Sequence, residues 1–204
     1  MKKYVVELLG TFFLVFTVGN TVIGKCDIAP LAIGLSLMVM IFAGGHISGA
    51  HFNPAVTLAV WLRGKCDTKD VVPYIASQII GAVLAALVVT FLQGAKGSAG
   101  DVKLAQAFVA ELLGTLALAW VVLNVATTKA NANNSFYGLA IGMTVTAMAF
   151  ALGPVSGAAF NPAVAIGAVA MGLIKGGNLW IYLVACSLGG AIAATVFKSI
   201  KADD

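Results

Sequence analysis

Two short strings carry most of the chemistry in this chain, Asn53-Pro54-Ala55 and Asn161-Pro162-Ala163. Asn is among the preferred helix N-caps, and Pro is favoured at the first helical position, where its missing N–H would have no partner anyway. Each tripeptide is therefore a compact helix start. A helix start carries roughly half a positive charge, so two of them meeting at one point repel cations. Each Asn side chain can also offer an N–H to a passing oxygen. A water or hydroxyl held by both turns its own protons outward, which breaks a continuous proton wire, and the positive field reinforces that block.

One such tripeptide means no more than a helix start, but here the two copies have matching surroundings. Glu7-Leu8-Leu9-Gly10-Thr11 recurs as Glu111-Leu112-Leu113-Gly114-Thr115, and Ala32-Ile33-Gly34 recurs as Ala140-Ile141-Gly142. Ser48-Gly49-Ala50 with Phe52-Asn53-Pro54-Ala55-Val56 recurs as Ser156-Gly157-Ala158 with Phe160-Asn161-Pro162-Ala163-Val164. Gly81 likewise matches Gly189, and Ala85-Ala86 matches Ala193-Ala194. The repeats cover about 1–96 and 104–204 of a single transmembrane domain over 1–204. Fixed-period self-similarity of this kind marks a repeat architecture.

The elements that must position the two tripeptides follow from composition. The chain is 60% hydrophobic and only 10% charged, with a mean hydropathy of +1.00. A spanning helix needs about 20 mostly apolar residues, and the stretches 4–24, 29–46, 71–93, 104–125, 136–153 and 178–198 qualify. The fold class is thus an all-α membrane protein of six transmembrane helices. Three crossings per half force the second half to enter from the opposite side, so the repeat is inverted and its substrate site lies near the midplane.

The runs 55–62 and 163–174 are too short to cross and read as re-entrant half-helices. They follow Gly-rich loops, Gly44-Gly45-His46-Ile47-Ser48-Gly49 and Gly153-Pro154-Val155-Ser156-Gly157. Irregular backbone at that depth persists only if buried in protein or lining water. The carbonyls of Gly49, Ala50, His51 and Phe52, with those of Gly157, Ala158 and Ala159, are expected to form a one-sided ladder of acceptors in an otherwise apolar wall.

Basic residues set the orientation. With the N-terminus inside, Lys2, Lys3, Arg63, Lys65, Lys69, Lys129, Lys198 and Lys201 are cytoplasmic, and Lys25, Lys96, Lys103 and Lys175 are external. Both termini are then cytoplasmic. The Lys2-Lys3 start does not mark a signal peptide, because the apolar run is too long and its pattern recurs. The net charge of +4 reflects this topology, and no basic, aromatic-interleaved patch points to nucleic acid. Cys26, Cys66 and Cys186 fall in an outer loop, an inner loop and a span, so they cannot pair with one another; Cys26 is the one placed to link subunits. Gly10, Gly34, Gly81, Gly114, Gly142 and Gly189 read as helix-packing residues. Trp61, Trp120, Trp180, Tyr4 and Tyr182 read as anchors at the membrane interface.

The run Gly45-His46-Ile47-Ser48-Gly49-Ala50-His51-Phe52-Asn53-Pro54-Ala55-Val56-Thr57 resembles the bacterial pattern of the aquaporin and glycerol-facilitator, or major intrinsic protein, family. The resemblance covers nearly the whole chain. It implies six tilted helices plus two half-helices, a homotetramer with one pore per protomer, no cofactor, and residence in the inner membrane of a prokaryote. It also implies that Glu7 and Glu111 brace the re-entrant loops by accepting backbone hydrogen bonds. His46 and His51 are expected to pack behind the first loop, His46 as a brace, and they form no metal site.

Water-selective members of the family carry an aromatic, a His, a small residue and an Arg at their outer constriction. By motif spacing these positions are Ile33, Ala149, Ala158 and Val164, all apolar here. Losing a planar five-donor guanidinium and two rings leaves a wider, drier constriction. The Arg-Asp signature of glycerol facilitators is absent too, since Val164-Ala165-Ile166-Gly167 follows the second motif. The reading is a passive channel for water and small neutral solutes that excludes ions and protons. Two alternatives stand beside it: a proton-coupled transporter working through Glu7 or Glu111, and a poorly conducting structural or adhesion member. No nucleophile-and-base constellation suggests an enzyme.

Overall fold

The computed structural model of the chain describes residues 1–200; Lys201, assigned above to the cytoplasmic side, lies outside them. Long apolar runs become helices because only a helix pairs every backbone N–H and C=O within one segment when lipid offers no partner. Six helices are long and apolar enough to cross a bilayer: α1 (Lys2–Ile23), α2 (Ala29–Ser48), α4 (Thr68–Gln93), α5 (Leu104–Thr127), α6 (Tyr137–Ser156) and α8 (Leu179–Ser199). Two short ones, α3 (Pro54–Leu62) and α7 (Pro162–Ala170), have nine residues each, about 14 Å of rise. A 3-10 turn, Gly176–Asn178, leads into α8. The fold is all-helical among the described residues, and the chain is an integral membrane protein. Large apolar side chains such as Val72, Leu87 and Phe91 stand exposed on its periphery, as lipid contact requires.

The loops before the half-helices are shorter than expected. α2 continues as helix through Gly44, Gly45, His46 and Ile47 to Ser48, and α6 runs through Pro154 and Val155 to Ser156. Each added helical residue keeps its backbone paired, which at this depth outweighs the roughly 1 kcal/mol cost of a helical glycine. Gly49 and Gly157 end these helices at φ +84° and +86°, donating to the carbonyls of Gly45 and Gly153 at 2.9 Å. That left-handed stop turns the chain back into the protein. The second half-helix ends at Ala170 rather than 174, because Gly172, at φ +75°, reverses the chain beneath Gly97.

Packing interlocks the two halves. α1 lies on α4 and α5 lies on α8, while α2 crosses α6. At that crossing Gly34 and Gly142 abut, and a Cβ on either would strike the other's carbonyl oxygen. The half-helices are exchanged: α3 seats mainly on α8, and α7 mainly on α4. Neither half can therefore form its interior without the other.

Candidate functional site: the paired Asn-Pro-Ala turns and the cavity they line

Asn53 and Asn161 adopt nearly the same extended backbone, φ −158° and −159°, immediately before Pro54 and Pro162. The Oδ1 of Asn53 accepts from the N–H of Ala55 at 2.8 Å and of Val56 at 3.4 Å; that of Asn161 accepts from Ala163 at 2.9 Å and Val164 at 3.4 Å. These are N-caps in geometry as well as in sequence. Each Nδ2 then reaches across the molecule. Asn53 donates to the carbonyl of Phe160, and Asn161 donates to the carbonyl of Phe52, both at 2.9 Å. A primary amide has two N–H groups, so each Asn has a second N–H beyond this bond, and both residues border the interior cavity. The Phe52 carbonyl, expected in the ladder of acceptors, accepts from Asn161.

The backbone that delivers each Asn is strained. Ala50 and Phe52 sit at φ +52° and +49°, Ala158 and Phe160 at +52° and +48°. Left-handed backbone is uncommon for residues with a Cβ and persists where the surroundings over-determine it. Here the determinants are two carboxyl groups, both fully buried. Glu7 Oε1 accepts from Ser48 Oγ at 2.7 Å and His51 N at 3.0 Å, and its Oε2 from Phe52 N at 2.7 Å and Gln78 Nε2 at 2.8 Å. Glu111 Oε1 accepts from Ser156 Oγ at 2.7 Å and Ala159 N at 3.0 Å, and its Oε2 from Phe160 N at 2.6 Å and, more distantly, Cys186 Sγ at 3.5 Å.

Two tyrosines complete the bracing. Tyr74 and Tyr182 donate to the carbonyls of Ser48 and Ser156 at 2.7 and 2.6 Å. Tyr182 is therefore a buried brace, not the interface anchor expected from its place near a span end; its hydroxyl satisfies the last carbonyl of a helix that has no next turn. Tyr74 and Gln78 were not singled out by sequence reasoning. The repeat carried a signal for Tyr74, which occupies the position equivalent to Tyr182.

The first half is the more polar. His51 Nδ1 lies 3.1 Å from Thr57 Oγ1, which also accepts from Gln78 Nε2 at 3.0 Å. The second half has Ala159, Ala165 and Cys186 at the corresponding positions. His46 takes no part: it stands exposed on the last turn of α2, because the helix continues past it and turns its side chain away from the loop. His51 holds the bracing position instead.

A cavity of about 320 Å³ runs along the interior. Ile33, Ala149, Ala158 and Val164 all border it, as do Asn53, Asn161 and the loop residues Ala50, His51, Phe52, Gly157 and Ala159. Gly49 does not; its left-handed turn lies at the outer margin of the loop, exposed. Most of the remaining wall is Leu, Val and Ile from α1, α2, α5 and α6. The polar side chains on it are His51, Asn53, Asn161 and Ser98, the last from the segment joining α4 to α5. Sequence reading gave Ser98 no role, since nothing in a Gly-Ser-rich connection indicates where it folds.

That segment is fastened at its far end, where Lys175 Nζ lies 2.5 Å from Asp101 Oδ1. The ammonium holds the Asp101 carboxyl below its ordinary value of 3.8, through a hydrogen bond and its charge. On the opposite face Asp70 pairs with Lys3 and accepts from Tyr4 at 2.7 Å, joining α1 to α4. The three cysteines are free. Burial pushes the Cys66 thiol up. No cluster of potential metal ligands occurs among the described residues.

Comparison with known proteins gives one consistent family. A model of the major intrinsic protein family matches residues 1–197. The glycerol uptake facilitator protein-like 6 of Lactiplantibacillus plantarum is 36% identical, with the whole of both chains covered. The aquaporin NIP1-1 of Arabidopsis thaliana is 38% identical over all of this chain and 75% of its own length. Among solved structures, the aquaglyceroporin of Plasmodium falciparum superposes with a TM-score of 0.83 over 98% of this chain and 96% of its own, at 23% identity, a likeness of fold. With six apolar crossing helices and two capped half-helices around a lined cavity, the chain belongs to the major intrinsic protein family of membrane channels for water or small solutes, and is not an enzyme.

Proposed function

We propose that this protein is a passive pore for water and small neutral solutes, centred on Asn53 and Asn161, with charge exclusion at the centre and little selection by size at the mouth. The observation that carries this reading is the reciprocal amide pair. Two helix N-termini and two spare amide N–H groups converge on one lumen, and both side chains are held by bonds to the opposite loop. Convergent positive dipole ends disfavour cations, and fixed donors orient a permeating oxygen. Pro54, Ala55, Pro162 and Ala163 keep the two starts rigid and narrow.

Selection at the mouth falls to Ile33, Ala149, Ala158 and Val164, none of which donates a side-chain hydrogen bond. Such a constriction admits polyols, urea or hydrogen peroxide on size and gives charged species no compensation. Two relatives carry names, glycerol uptake facilitator protein-like and aquaporin, that fit a pore for a small polyol and for water. The two halves act as inverted repeats around the pore, and the protomer assembles as a homotetramer in a prokaryotic inner membrane with both termini cytoplasmic.

The test is light scattering from proteoliposomes under osmotic gradients of an impermeant sugar, and then of glycerol and urea. Water and solute fluxes above those of empty vesicles, indifferent to a proton gradient, are expected. Fast water flux with no uptake of any larger solute overturns the wide-mouth reading. Uptake that requires a proton gradient and is lost in Glu7→Gln or Glu111→Gln supports the transporter instead. Absence of any flux from well-folded tetramers points to the non-conducting alternative.

A further inference from the structure

We propose that the cleft behind the second re-entrant loop is a binding site for a small polyol, separate from the pore. This cavity, about 220 Å³ in volume, lies on the face of the molecule where α6 ends and α8 begins. It is far larger than the roughly 10–15 Å³ that a single water needs. None of Asn53, Asn161, Ile33, Ala149, Ala158 and Val164 borders it, so it belongs neither to the constriction nor to the central pair. Gly153, Gly157, Leu173 and Ile174 border both cavities and form the partition between them. The inference does not depend on what crosses the pore.

The lining is short of hydrogen bonds, and its groups define the ligand. Because α6 stops at Ser156, the carbonyls of its last turn have no following turn to pair with. The Gly157 N–H donates to the carbonyl of Gly153, and the Tyr182 hydroxyl to that of Ser156. In a longer helix the N–H groups of Ala158 and Ala159 would reach the carbonyls of Pro154 and Val155; here they go to Ser156 Oγ at 3.1 Å and Glu111 Oε1 at 3.0 Å. Pro154 and Val155 border the cleft, and no group among the described residues donates to their carbonyls. On the α8 side stands Asn178, half-buried, whose side chain makes no capping bond. Its amide offers an acceptor and two donors. Asp101 and Lys175, joined at 2.5 Å, also border the cleft. Two spare carbonyls at a helix C-terminus, which carries partial negative charge, call for hydroxyl donors, and the Asn178 amide meets a hydroxyl in either role. A neutral molecule with several hydroxyls answers this set, whereas an anion is repelled by the helix end.

The test is thermal unfolding of the full-length protein in detergent, titrated with sorbitol. Exclusion of a polyol from the protein surface raises the midpoint steadily and alike in all variants, whereas a bound polyol adds a saturable increment. The wild type is expected to show that increment. Asn178→Ala needs about fivefold more sorbitol to reach half of it, the factor that one net hydrogen bond of about 1 kcal/mol corresponds to. Gly100→Phe places a ring at a position that borders the cleft and has open space around it. That variant loses the increment while unfolding like the wild type without sorbitol. Any sorbitol held in the pore contributes equally to all three proteins, since neither Gly100 nor Asn178 borders the pore cavity. A wild type with no saturable increment overturns the inference, and so does an increment that both variants retain unchanged. If Gly100→Phe does not fold, the Asn178→Ala titration decides alone, an unshifted half-point overturning the inference.

Discussion

The side-chain amide of Asn53 is bonded to the carbonyl of Phe160 at 2.9 Å, so the start of one half-helix is fastened to the loop of the other half. Asn161 returns the bond to Phe52. Each substitution Asn53→Ala or Asn161→Ala removes an N-cap, at a cost of about 1 kcal/mol, and one of the two cross-ties. Because both ties join the same two loops, losing one loosens the other. A double-mutant cycle on thermal unfolding in detergent is expected to give a coupling energy of about 0.5–3 kcal/mol; simple additivity would mean the ties act independently.

Glu7 and Glu111 differ in how much depends on them. Both oxygens of Glu7 accept two close donors, so Glu7→Gln sets an amide N–H against donors whichever way it flips. At Glu111 one oxygen receives Phe160 N and only a distant thiol, which leaves an orientation that an amide tolerates better. With about 1–3 kcal/mol for each buried group left unsatisfied, Glu7→Gln is expected to lower unfolding stability by about 3 kcal/mol or more. Glu111→Gln should lose roughly half as much, and residual flux in both should ignore a proton gradient. Thermal unfolding followed by tryptophan fluorescence, with flux at two pH gradients, checks both points.

The Gly34–Gly142 contact fixes the distance between α2 and α6, and through it the wall that carries Ile33 and Ala149. Gly34→Ala pushes a methyl into a backbone carbonyl, which cannot swing aside as a side chain would. Overpacking of this kind costs about 1–3 kcal/mol. Gly100→Ala, at a position with open space around it, is the matched control and should unfold like the wild type.

At the mouth, Val164→Arg adds a long cation beside the cavity that Val164 now borders. Glycerol flux is expected to fall about tenfold, the effect of roughly 1.4 kcal/mol of added barrier, while water flux falls much less. Equal losses for both solutes would mean that the side chain blocks the pore instead of filtering it.

The Asp101–Lys175 ion pair gives the segment joining α4 to α5 a pH dependence whose sign is set by the depressed Asp101 carboxyl. A carboxyl held below its ordinary value favours the paired state above that value, and the contribution disappears as pH falls through the lowered one. Hydrogen exchange of the Gly97 amide, which is bonded to Met171, is therefore expected to be indifferent to pH between about 5 and 8, after correction for intrinsic rates, and its protection should fall below the ordinary carboxylate range near 4. Asp101→Asn should show the acid-state protection at every pH.

How much of this was legible in the sequence depends on how local each feature is. Capping by Asn before Pro, the length of an apolar run and repetition of a string are properties of neighbouring residues, so the two half-helix starts, six crossings and the buried acids were all readable. The sequence could also name Ile33, Ala149, Ala158 and Val164 as apolar, because identity needs no coordinates. Where the re-entrant loops begin was misread. Glycine and proline weaken a helix by amounts that backbone pairing in an apolar interior exceeds, so α2 and α6 continue to Ser48 and Ser156. The exchanged seating of α3 and α7, the bonds from Tyr74, Tyr182 and Gln78, the displacement of His46 by His51, and the place of Ser98 at the cavity all join residues distant in the chain. Such contacts form only when the whole bundle closes, since each is one small term selected by helix packing. The tertiary structure alone therefore decided which polar groups border the cavity and which merely hold the loops.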